Sequence, residues 1–151
     1  EAAGDAEATY NDVLVTTDGS EAAEWSGPYA AEVARRCGAT LHLLDAVDVQ
    51  GEAGVFDAGG VSSEFVERLE TRAEEATERL ADTVGDVDYR TTFVRDPPHE
   101  AVRTYVEEND VDLVVMASRG QSGLTGQRLG SVTGRVLRTV DVPVLVVTSL
   151  P

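Results

Sequence analysis

A chain of 151 residues with 42% hydrophobic content is long enough for one globular domain that buries roughly 70% of its unfolded surface. Twenty-eight acids oppose twelve bases for a formal charge of −16, and every base is arginine. With no lysine, a P-loop and a Schiff-base enzyme are both excluded, because each needs that amine.

Acids spread along the chain with no basic stripe make nucleic acid an unexpected partner. A charge this far from zero keeps a protein soluble where salt screens its self-repulsion, so a salt-rich, halophilic origin is expected. No apolar run approaches the ~18 residues of a membrane helix, and no charged-then-apolar leader opens the chain, so no membrane partner and a cytoplasmic address are expected. The single cysteine, Cys37, leaves no internal disulfide and no cysteine-based metal site.

The small, acidic opening "EAAGDAEAT" (1–9) reads as a disordered tail, with the domain over 10–151. "DVLVTT" (12–17) is a strand, and "DGS" (18–20) turns into a helix from Glu21 to about Cys37. Gly38 is its stop and Pro28 its expected bend. "TLHLLDAV" (40–47) is the second strand, followed by a polar, glycine-rich excursion over 48–60. Ser62 or Ser63 caps a long helix over 64–84, whose acids and arginines at three- and four-residue spacing read as a solvated face. Strand "DYRTTFV" (88–94), a helix opened by Pro97 and Pro98, strand "VDLVVMA" (111–117), helix "SVTGRVLRTV" (131–140) and strand "VPVLVV" (142–147) complete the chain. Strands this uniformly apolar have no wet face. The alternation βαβαβαβαβ predicts an α/β fold: one open five-stranded parallel sheet, order 3-2-1-4-5, with helices on both faces.

Ligands of such sheets bind beyond the strands' carboxyl ends, where strand order reverses. Two loops meet there: "TTDGS" and "ASRGQSGLTGQRLGS". The second is long for a strand-to-helix connection, and five of the fourteen glycines fall between Gly120 and Gly134. Glycines let backbone N–H groups line a concavity, the helix opened by Gly130 and Ser131 attracts anions, and Arg119 and Arg128 add charged donors. Phosphate is the natural guest; an ordinary mobile loop is the bland alternative. Asp18 is either an acceptor for a nucleotide's ribose or adenine, or the helix N-cap, which Glu21 three residues on favours.

Catalytic options are poor. His42, between Leu41 and Leu43, reads as a core histidine; His99 is expected to be exposed; Cys37 reads as a half-buried structural thiol. "GQSG" is not a nucleophile elbow, and no histidine follows it to complete a triad. With no evident general base near the loop, slow ATP hydrolysis is the most the chain suggests.

"VTTDGS", "VVMASRGQSGL" and "LGSVTGRVLRTVDVPVLVV" together resemble blocks of the universal stress protein family, over about Asn11 to Thr148. The family's ATP-binding pattern G-x2-G-x9-G-[ST] would put Ala117 in the first glycine's place, Gly120 in the second, and Gly130–Ser131 in the last pair. The resemblance implies that Thr16 and Asp18 hold adenosine and that Ala46 contacts adenine. It implies that Met116 and Ala117 flank ribose, and that Gly120, Gly123, Gly130 and Ser131 wrap phosphates, which Arg119 would also meet. The implied ligand is ATP, or AMP as second choice, with a magnesium ion bridging the phosphates. Should the Ala117 position need positive φ or a close backbone approach, its methyl costs about 1 kcal/mol, a factor of roughly five in affinity. Some members lack the motif and bind no ATP, so a ligand-free dimeric interaction module is the alternative. The family's last strand commonly pairs with its own copy, which implies a homodimer through 142–148.

Overall fold

A computed structural model describes residues 9–49, 62–119 and 129–149. Ten elements follow one another: β1 (Asp12–Thr17), α1 (Glu21–Glu24), α2 (Ser26–Cys37), β2 (Thr40–Ala46), α3 (Ser63–Asp82), β3 (Tyr89–Val94), α4 (Pro98–Glu108), β4 (Leu113–Ala117), α5 (Ser131–Thr139) and β5 (Val144–Val147). All strand pairs are parallel, in the order β3-β2-β1-β4-β5, as the alternation predicts.

Both faces of the sheet are covered, which is why its central strands carry apolar residues on both faces rather than on alternate positions only. Val13, Val15, Leu41, Leu43 and Val115 point to one side, into a core closed by α2 and α3 through Ala30, Ala34 and Leu80. Leu14, Leu44, Val114 and Met116 point to the other, where Val102 and Val106 of α4 and Val136 of α5 close a second core. The period-two alternation of a strand therefore feeds two cores rather than a core and water.

Several boundaries differ from the sequence reading, each for a local reason. The first helix is interrupted at Trp25, not at Pro28. Pro28 lies in the first turn of α2, where no bond within that helix needs its N–H; toward α1, the lost donor and the ring's clash act four residues back, at Glu24, where α1 ends. Gly38 is the stop expected, with φ 69° and its N–H on Ala34 O. Ser62 rather than Ser63 caps α3, its Oγ accepting from Phe65 N at 3.2 Å. β4 starts at Leu113 because Val111 N is tied back to Val106 O (3.2 Å) at the end of α4. β5 starts at Val144 because Pro143 has no N–H, although its carbonyl accepts from Val114 N at 3.0 Å.

His42 is the core histidine expected: 3% exposed, with Nε2 2.9 Å from Asp12 Oδ1 and Nδ1 2.7 Å from Tyr105 Oη. His99 is not the exposed residue predicted; its side chain is half-buried at 27%. Cys37 is half-buried, as read. The charged face of α3 is not simply solvated. Arg79 reaches Glu24 Oε2 and Gly19 O, both at 3.3 Å, and Glu70 pairs with Arg95 beyond β3. Helix α3 thus grips the turn that follows β1.

Candidate functional site

Strand order reverses between β1 and β4, since β1 leads to β2 on one side while β4 leads to β5 on the other. A crevice of about 160 Å³ opens above that point. Its floor is the carboxyl ends of β1, β2 and β4; Pro98 and Val102 of α4 form an apolar wall with Leu44 and Met116, and the start of α5 closes the far end. Eight of the sequence-predicted residues line it: Thr16, Asp18, Ala46, Met116, Ala117, Arg119, Gly130 and Ser131. Gly120, Gly123 and Arg128 lie outside the described residues, as do 50–60 of the polar excursion.

Backbone hydrogen bonds fix the first rim. Gly19, at φ 85°, makes the turn; its N–H bonds Thr17 Oγ1 at 3.1 Å, and Ser20 N bonds Asp18 Oδ1 at 2.9 Å. The N-cap of α1 is Ser20, whose Oγ accepts from Ala23 N at 3.2 Å, so the capping role weighed for Asp18 belongs to its neighbour. Asp18 turns the chain instead, with its carboxylate at the crevice.

The opposite rim is built as tightly. Ser118 N bonds Val147 O at 2.9 Å, Gly130 N bonds Ser118 O at 2.7 Å, and Thr133 Oγ1 donates to Ala117 O at 2.7 Å. Gly130 therefore spends its own N–H on closing the loop's base. The helical donors left for a ligand are the first-turn amides of Ser131, Val132 and Thr133, which have no acceptor within the helix by geometry. Gly130 itself is extended (φ −62°, ψ 157°), so no left-handed backbone requires glycine there.

Ala117 is a regular strand residue, 6% exposed and paired with Val147. Among the described residues Asp110 is the one non-glycine with positive φ, so the backbone strain considered for an alanine at 117 does not arise. Its methyl acts through shape alone.

An adjoining groove of about 420 Å³ shares Asp18, Ala46, Pro98 and Val132 with the crevice and runs toward Arg72 and Arg79 of α3. Asp45 lies in it, 4% exposed, and its carboxyl is pushed up to about 6, first by burial and then by the charge of Asp18, against the pull of Arg72 and Arg79. Sequence reading passed over this residue; the available signal was an acid inside the apolar run "LHLLDAV". Thr133 was also missed, because a threonine inside an amphipathic helix carries no mark of its bond to a strand end.

Comparison with known proteins agrees with this architecture. The profile described as the Universal stress protein family matches residues 9–148. A universal stress protein of Methanocaldococcus jannaschii is 29% identical over 140 residues, covering 91% of this chain and 82% of its own. Among solved structures, the hypothetical protein MJ0577 superposes with a TM-score of 0.80 at 27% identity, covering 95% of this chain and 99% of that one. A universal stress protein solved in complex with cAMP does so at 0.66 and 27%, covering 93% and 98%.

Proposed function

The chain belongs to the universal stress protein family, and from that premise we propose that it is a nucleotide-binding regulatory protein. ATP, with AMP as second choice, occupies the crevice between β1 and β4. The observation that carries this reading is the polarity of that crevice. An apolar slot formed by Leu44, Pro98, Val102 and Met116 suits a base, Asp18 on the β1 rim suits hydroxyl donors, and Arg119 with the α5 amides suits phosphate. A relative carrying cAMP supports the choice of ligand class. Magnesium would be held by the phosphates and water, since among the described residues no cluster of three His, Cys, Asp or Glu side chains is placed to hold a metal. Binding alters the shape presented to partner proteins, with slow ATP hydrolysis the most that accompanies it.

Calorimetric titration with ATP and AMP, at molar salt with magnesium, tests the reading. The expected Kd is in the micromolar range, about −8 kcal/mol. Asp18→Ala is expected to weaken it by roughly 10-fold or more, the worth of a charged hydrogen bond. No heat with either nucleotide overturns the proposal and leaves the ligand-free interaction module.

Self-association belongs to the same proposal. β5 ends the sheet, and Leu145 on it is 38% exposed, with Leu137 of α5 at 41%. An apolar sheet edge blunted by Pro143 alone invites pairing with its own copy around a two-fold axis through 142–148. Each partner brings a charge of −16, so the dimer tightens as the screening length shrinks from ~10 Å at 0.1 M salt to ~3 Å at 1 M. Sedimentation at molar salt is expected to give a dimer for the parent chain and a monomer for Leu145→Lys; a monomeric parent rules the interface out.

A further inference from the structure

We propose that Trp25 is a positioning residue for Arg119, holding its guanidinium at the phosphate end of the crevice and so setting the site's preference for ATP over the bare nucleoside. This inference rests on the nucleotide reading above.

The guanidinium carbon of Arg119 stands 5.1 Å from the centroid of the Trp25 ring, within range of a cation–π contact. Among the described residues Arg119 is the base that lines the crevice, and with none of them does its side chain make an ion pair or a hydrogen bond. In a chain with 28 acids and 12 bases, a crevice arginine held by a ring rather than by a carboxylate is a chemical choice. A carboxylate would occupy the planar fork of donors that recognises phosphate. An aromatic face holds the cation from above and leaves that fork free in its own plane.

Both ends of the contact are fixed. Trp25 fills the one-residue break between α1 and α2, its N–H bonds Ala22 O at 3.1 Å, and its ring packs against the core beneath α2. The indole Nε1 is buried with no hydrogen-bond partner among the described residues, so packing and the cation, not a polar anchor, account for the ring's position. Arg119 follows Ser118, whose N–H and C=O are both bonded, to Val147 O and Gly130 N. What remains free is the arginine's stem. The ring removes that freedom before a ligand arrives, and pre-organisation of this kind shows as affinity for the group the cation meets.

The experiment compares ATP with adenosine on the full chain at molar salt with magnesium, by calorimetry and by the emission of Trp25, the chain's one tryptophan. Arg119→Gln is expected to weaken ATP by roughly 10-fold and adenosine by less than about 2-fold. Trp25→Leu is expected to weaken ATP by about 5-fold, while Trp25→Phe, which keeps an aromatic face, stays within about 2-fold of the parent. In the Trp25→Leu background, Arg119→Gln costs markedly less than it does alone, the signature of coupled residues. ATP shifts the Trp25 emission of the parent but not of Arg119→Gln, a reading that keeps the ring in place should Trp25→Leu fail to fold. Equal losses of ATP and adenosine in Arg119→Gln, or an unchanged ratio, overturn this inference and leave the nucleotide reading standing. A parent chain that binds neither ligand overturns both.

Discussion

Gly27→Ala is expected to destabilise the fold by about 2–3 kcal/mol, lowering Tm by roughly 4–12 °C, although helix propensity argues for the opposite sign. Gly27 lies in the first turn of α2, and alanine there would by propensity gain about 1 kcal/mol. Packing decides otherwise. A Cβ added at Gly27 would stand 1.7 Å from Thr83 Oγ1, 2.8 Å from Thr83 Cβ and 3.4 Å from Leu80 Cδ1. Rotating the hydroxyl away relieves the first contact at the expense of its 2.6 Å bond to Leu80 O, and leaves the second in place. Helices α2 and α3 must therefore separate where α3 ends against the core. Thr83→Ala in the same chain removes the nearest atom and recovers part of the loss; Thr83→Ser recovers none. Thermal unfolding of the parent and the three variants checks this, and a Gly27→Ala variant at least as stable as the parent shows propensity to be the larger effect.

That contact lies beyond what the sequence discloses, since nothing in "SGPYAAEV" names the element that will press on its glycine. Patterns that depend on near neighbours were legible: the apolar strands, their parallel order, the left-handed Gly38 and the proline-opened α4. The bend expected at Pro28 is instead an interruption at residues 24–25, because the ring and the missing donor act four residues back. At the crevice, Asp18, Arg119, Gly130 and Ser131 line the space to which the strand topology assigns the two loops, because each follows a strand end or opens the next helix. Roles that require a third element were not. Asp18 yields the cap to Ser20, Gly130 spends its N–H on Ser118, Thr133 ties α5 to β4, and Arg79 of α3 holds the turn after β1. Nothing near Trp25 in the sequence marks its role, because its partner Arg119 is 94 residues away.

Asp45→Asn is expected to stabilise the protein at neutral pH by about 1–3 kcal/mol, and the gain depends on pH in a defined window. Asp45 titrates near 6 in the fold against 3.8 as a free side chain. The folded state thus holds a proton that the unfolded chain has released, and stability falls as pH rises from about 4 to about 6, then levels off. This is the reverse of a salt-bridged carboxylate, which stabilises above its unfolded pKa. The full difference corresponds to about 3 kcal/mol, an upper value because the groove admits water. Burial and the neighbouring Asp18 set the sign; Arg72 and Arg79 reduce the cost without abolishing it. Asparagine keeps the shape and stays neutral at every pH. Other carboxylates in a chain of charge −16 also make stability fall with pH, so the diagnostic is the difference between parent and variant in urea unfolding at molar salt. That difference is expected to be small at pH 4 and to grow to its plateau by pH 7. A constant difference across the range shows that Asp45 is ionised throughout, held by the α3 arginines in an ordinary ion pair.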